Sequence, residues 1–156
     1  MLRPVSFAAA RQAQSQAPRS VSSIPTSVTA NGSSATATSS INVDYMPGPA
    51  GPNPTAYGAV NLSGAGQAEG PTRFKVENIS VYEKGTDKLV ASVDNPTPYS
   101  SKTEAPWGVR KETYGFGFPS SKIDPNKEDT FVVTTRINGS EPKEVRTPYA
   151  KPNATY

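Results

Sequence analysis

Along this chain of 156 residues the apolar positions fall into a two-residue rhythm, and they do so mainly in its later part. From Thr72 onward that rhythm predicts strands. Phe74 and Val76 share one parity while Ile79 and Val81 share the other, so a bulge near Glu77-Asn78 is expected to bring all four onto one core face. Lys84-Gly85-Thr86-Asp87 is a turn cluster, and Leu89, Ala91 and Val93 then resume the alternation, which predicts a hairpin. Asn95-Pro96-Thr97-Pro98 ends it, because proline has no N–H to give a ladder.

Further on, Tyr114, Phe116 and Phe118 alternate with Gly115 and Gly117, which puts three rings on one face of a strand and a glycine strip on the other. Residues 119–125 read as a connector. Phe131, Val133 and Thr135 oppose Val132, Thr134 and Arg136 in one clear strand, and Asn138-Gly139 is a turn whose two residues tolerate positive φ. Val145 and Tyr149 predict a last, Pro-interrupted edge. Upstream, Ile41-Asn42-Val43-Asp44-Tyr45 and Ala59-Val60-Asn61-Leu62 predict two short strands around a Pro/Gly-rich loop. No stretch keeps helical apolar spacing over two turns.

Roughly six to eight short strands with Gly/Pro turns imply an all-β chain. The expected fold is a small antiparallel β-sandwich, immunoglobulin-like or jelly-roll-like, behind an extended N-terminal arm. The paired cysteines around a core tryptophan that mark antibody domains are missing. The expected division is a Ser/Ala/Thr-rich arm over 1–40, a sandwich over 41–150 with the Pro/Gly loop in 41–71, and a tail over 151–156.

The arm is where composition changes the picture. Apolar residues are 34% of the chain, and residues 1–40 hold few of the large ones, three arginines (Arg3, Arg11, Arg19) and no acidic residue. Ordering such a segment costs roughly 1–2 kcal/mol per residue with little apolar surface to offset it, so the arm is expected to order only on a partner. Its acidic-poor, Arg- and Ser-bearing start also has the composition of an organelle transit peptide, although Pro4 interrupts an early helix.

Chemistry is narrowed by what is missing. With no Cys and no His, the chain can build neither a thiolate metal site nor a Ser/His/Asp triad. Net charge is +3, a mild excess that supports nucleic-acid binding only weakly. The longest apolar stretch, residues 5–10 with Ser6 inside it, falls far short of the roughly 20 residues a helical membrane span needs. Asp124-Pro125-Asn126-Lys127-Glu128-Asp129 opens like a Ca²⁺ loop, but Asp129 stands where the loop needs Gly and Thr135 where it needs Glu, so a solvated turn is expected. Five Asn-x-Ser/Thr triplets, at Asn31, Asn61, Asn78, Asn138 and Asn153, read as chance in a Ser/Thr-rich chain.

Two features remain as partner contacts. Trp107, near Arg110, Lys111 and Tyr114, is either a core anchor or a stacking platform for glycan or single-stranded nucleic acid. The Gly115/Gly117 strip would let another backbone approach closely. Together with Arg3, Arg11 and Arg19 these are the expected contact residues. The resulting expectation is a non-enzymatic structural or assembly protein without catalytic residues, metal or cofactor. In that reading it is a minor capsid or decoration component of a virus or phage, docking through its sandwich and clamping neighbours with its arm. The alternatives are an accessory subunit of a mitochondrial complex with an import signal, and a carbohydrate- or matrix-binding module. Expected partners are proteins or further copies of the chain, with no membrane and no small-molecule substrate.

Overall fold

The computed structural model describes residues 20–45, 55–66, 72–104 and 109–155. Ten strands are present among them: β1 (Ser27–Ala30), β2 (Ser33–Asp44), β3 (Thr55–Gly66), β4 (Phe74–Glu83), β5 (Leu89–Asp94), β6 (Ser100–Glu104), β7 (Val109–Pro119), β8 (Asp129–Ile137), β9 (Lys143–Arg146) and β10 (Asn153–Thr155). The larger sheet runs β1-β2-β3-β7-β6, with β10 joined to β2; the smaller runs β5-β4-β8-β9. All pairings are antiparallel except that of β10 with β2. The chain is an all-β sandwich.

The core lies between the sheets. Ile41, Val43, Val60, Leu62, Tyr114 and Phe118 from the larger sheet meet Val76, Ile79, Val81, Phe131, Val133 and Ile137 from the smaller. The expected bulge is present: the β4–β8 register shifts between Val76 and Asn78, and Val76, Ile79 and Val81 all enter the core, with Phe74 packed against it. The Tyr114/Phe116/Phe118 rings also face inward, Phe116 lying edge-on to Phe131 at 6.1 Å between centroids.

Two glycines make room for these rings. A Cβ on Gly58 would come within 2.9 Å of Phe131 Cζ, and one on Gly64 would overlap the Phe74 ring. Overpacking of this kind costs about 1–3 kcal/mol. Both Asn-Gly pairs turn with positive φ, Asn31 at 47° and Gly32 at 81°, Asn138 at 50° and Gly139 at 77°. The two turns clasp each other: Asn138 Nδ2 donates to the Asn31 carbonyl at 3.1 Å and Asn31 Nδ2 to the Asn138 carbonyl at 3.0 Å.

The boundary at residue 40 needs correction. Residues 20–40 belong to the fold, while residues 1–19 lie outside the described residues. β2 turns Ser33, Ala35, Ala37, Ile41 and Val43 inward, and it pairs with β3 along all twelve of its residues. Alanine and serine in that inward row contribute burial and a full ladder without looking hydrophobic in sequence. Ahead of β1, a 3-10 turn (Val21–Ser23) carries Val21 and Ile24 onto the outer face of the smaller sheet, against Val132 and Tyr82. Arg146 holds this strap: its backbone N–H donates to the Pro25 carbonyl at 2.9 Å and its Nε to the Ile24 carbonyl at 3.0 Å.

Three smaller expectations also shift. Leu89 is 53% exposed and Val90 is buried instead, because a second register shift, between Val81 and Tyr82, inserts an extra residue in β5. Tyr149 lies beyond β9, its ring 5.2 Å from Lys84 Nζ and 4.8 Å from the Arg146 guanidinium carbon. Residues 153–155 of the expected tail form β10, paired in parallel with Asn42, Val43 and Asp44.

Candidate interaction surface

Strand alternation gives the larger sheet an outer face of small side chains. β2 presents Thr36, Thr38, Ser40 and Asn42 there, β3 presents Tyr57, Ala59, Asn61 and Ser63, and β7 presents Lys111, Thr113, Gly115 and Gly117. Thr113 Oγ1 donates to Asn61 Oδ1 across the strands at 2.9 Å. Most of these side chains have few rotamers to lose, so covering the face fixes little conformational entropy.

Gly115 and Gly117 sit on this face, as their alternation with the rings requires, but the strip is not bare. Tyr57, cross-strand partner of Gly117, lies over it: a Cβ on Gly115 would stand 2.6 Å from the Tyr57 hydroxyl. The ring stays 51% exposed. Without side chains at 115 and 117 the phenol can lie down along the sheet, making a flat aromatic patch with a polar rim. Next to it a cavity of about 640 Å³ is lined by Thr55, Ala56, Tyr57, Gly117, Phe118 and Pro119, with Ser120 and Ser121 at its edge. A second cavity of about 350 Å³ is lined by Asn61, Ser63, Ser100, Lys102, Glu104, Lys111 and Thr113. There the Lys111–Glu104 pair, 3.4 Å apart, is solvated on both sides.

Sequence reasoning missed Tyr57. It falls just before the expected Ala59–Leu62 strand and on the opposite parity to its core residues, and the usable signal was the pairing of a lone aromatic with two glycines on a neighbouring strand. Arg3, Arg11, Arg19 and Trp107 lie outside the described residues.

The inter-sheet space also holds carboxylates. Glu112 faces inward and is 5% exposed. Arg110 Nε and a terminal guanidinium nitrogen each reach its Oε2 at 3.0 Å, and the Tyr114 hydroxyl donates to Oε1. Burial, with Glu112 beside it, holds the Tyr114 phenol well above its ordinary range. Asp129 is the counterexample: it is 3% exposed, and its Oδ2 has no hydrogen-bond partner. Burial first, then the Glu83 and Asp124 carboxylates, push it up to about 7. The would-be Ca²⁺ loop folds as a turn, with the Asn126 N–H donating to Asp124 Oδ1 at 2.9 Å. Among the described residues no group of His, Cys, Asp or Glu is arranged to hold a metal ion.

No family model matches this chain, and neither a curated protein nor a solved structure does.

Proposed function

We propose that this protein is a non-enzymatic assembly component that docks through the outer face of its larger sheet, and that the assembly is a repeated lattice such as the shell of a virus or phage. The observation that carries the reading is the Tyr57 patch on its glycine strip. A face of three strands of eleven or twelve residues, widened by the shorter β1 and β6, offers on the order of 700 Å², close to one partner's share of a standard protein interface. An aromatic at its centre, ringed by short polar side chains, has the composition of an interface anchor with a solvated rim. The chain before Ser20 supplies the clamp in this reading, gaining affinity by engaging neighbours that the sandwich has already placed nearby.

The test uses molar mass in solution and recruitment into the native assembly. The full chain is expected in a complex many times the mass of one copy. Tyr57→Ser and Gly115→Val, the second displacing the ring, should each cut incorporation about tenfold or more with the fold intact by circular dichroism. Deleting residues 1–19, which leaves β1 and β2 in place, should spare the fold and abolish stable incorporation. Full incorporation of both point variants would end the face reading, and full incorporation of the truncation would end the clamp.

A carbohydrate-binding use is the second reading, favoured by the same exposed phenol beside the polar cavity at Asn61 and Lys111. A glycan array separates it from docking, since a sugar platform binds as an isolated chain.

A further inference from the structure

Glu83 and Asp129 are direct cross-strand partners in the β4–β8 ladder, on the parity of Val81 and Phe131; the Asp129 carboxyl is buried there, while Glu83, at the strand end, is half-buried and its Oε1 accepts from Thr86 Oγ1 at 3.0 Å. Like charges placed directly opposite repel. Asp129 is almost wholly buried and its Oδ2 is unanswered, so at that oxygen a charge has neither water nor a donor to offset it. Its backbone has a separate task. The Asp129 N–H donates to the Ala150 carbonyl at 2.9 Å, and the Ala150 N–H donates back at 3.1 Å. That bridge pins the C-terminal segment, which continues as β10 along β2 and so ties one sheet to the other. The segment is separately anchored at Thr147, whose N–H donates to the Phe131 carbonyl at 2.9 Å and whose Oγ1 accepts from the Phe131 N–H at 3.0 Å. Residues 148–155 therefore have a fixed root at Thr147, the Ala150 bridge to the smaller sheet, and beyond it the three-residue β10 ladder to β2.

We propose that the Asp129 carboxyl is a proton-operated latch on this segment: protonated, it leaves the Ala150 bridge closed, and ionised against Glu83 and Asp124 it opens the bridge and frees 150–155 from the edge of β2.

The charged groups around the latch fit this assignment. Glu83 comes from β4, and Asp124 and Glu128 from the loop ahead of β8. Lys84, on the turn after β4, is engaged elsewhere, with Glu128 Oε1 at 3.3 Å and the Tyr149 ring. Lys122 and Lys127 of the loop and Lys151 of the C-terminal segment are exposed, as is Asp44 at the end of β2. The carboxyl, pushed up to about 7, changes charge near neutrality. Opening lets water in and returns it toward the ordinary value of 3.8, so rising pH favours the open form. An open segment bares the β2 edge at Asn42–Asp44 as a template for a strand from a second copy. That use rests on the assembly reading above; the latch itself does not.

Hydrogen exchange of the Ala150 amide in the full chain, corrected for the intrinsic pH dependence of exchange, tests it. Between pH 5.5 and 8.5 the opening equilibrium should rise about thirty-fold in the native sequence. In Asp129→Asn it should stay flat, and in Glu83→Gln the rise should level off at lower pH and be smaller in total, because the Glu83 charge that discourages ionisation of Asp129 in the closed form is gone and ionisation there is less opposed. Flat exchange in the native sequence, or an unchanged rise in Asp129→Asn, overturns the latch. Should Asp129→Asn fail to fold, an unchanged profile in Glu83→Gln overturns it alone. All of this is read on the isolated chain, so failure to incorporate into an assembly leaves the outcome untouched.

Discussion

Glu112 and Asp129 are two inward-facing carboxylates in one sandwich, and they have opposite fates. Register places them apart: Glu112 pairs with Leu62 toward the Gly64 and Phe74 end, whereas Asp129 lies beyond Phe131 toward the Gly58 end. Their exposures, 5% and 3%, are nearly equal. What differs is the company. Glu112 has Arg110 on one oxygen and Tyr114 on the other, so its charge is neutralised and both oxygens are bonded. Asp129 faces two further carboxylates and leaves one oxygen bare. Depth of burial therefore does not decide whether a carboxylate is a fastening or a weak point; the donors within reach do.

The largest effect should come from taking the cation away from Glu112. Arg110→Met keeps much of the aliphatic stem but leaves a nearly buried charge with only a phenol for company. Breaking such a pair from one side typically costs about 3–5 kcal/mol, and here about 3 kcal/mol is expected because Arg110 itself reaches solvent. Urea denaturation at pH 7 measures it. A loss below about 1 kcal/mol would mean that water answers Glu112, and the contrast with Asp129 would collapse.

A smaller effect of opposite sign is expected at the other end. The folded-state value of Asp129 lies above its unfolded one, so its contribution to stability is complete below about pH 4 and is lost as pH rises through about 7. A shift of that size corresponds to about 4 kcal/mol if the closed site had no escape. Opening at Ala150 caps it, so Asp129→Asn should stabilise the chain by about 1–2 kcal/mol at pH 8.5 and by nothing at pH 4. Equal stability of the two proteins across that range would show that Asp129 is answered after all.

This contrast was invisible in the sequence, and the reason is instructive. Much of the fold was legible because strand parity is a local property: the Glu77-Asn78 bulge, the inward rings at 114, 116 and 118, the β8 alternation and the Asn138-Gly139 turn all follow from neighbours along the chain. Residues 33–40 were misread because their inward row is Ser and Ala, whose burial depends on β3 partners about twenty to thirty residues away. The Val21/Ile24 strap depends on Val132, over a hundred residues on. The candidate site had the same division. Gly115 and Gly117 were found from their own alternation, but the Tyr57 that gives them meaning comes from another strand, as do Glu83 for Asp129 and Thr103 for Arg110. Arg110, Glu112 and Tyr114, by contrast, are three successive same-face positions on one strand, and that spacing was there to be read as a buried network.

The smallest effect tests how that network shares its load. Tyr114→Phe removes only the hydroxyl that answers Glu112 Oε1, leaving the ring in the core and both Arg110 contacts on Oε2. A hydrogen bond to a charged group contributes about 1.5–3 kcal/mol, yet here the charge is already compensated, so a loss of about 1 kcal/mol is expected. If Arg110 and Tyr114 act on Glu112 together, the losses in Arg110→Met and Tyr114→Phe should not add in the double variant. The phenol matters most once the cation is gone, so its removal from the Arg110→Met background should cost more than it does alone. Simple additivity in urea denaturation would instead make them two independent contacts, and Glu112 would then owe its place to Arg110 alone.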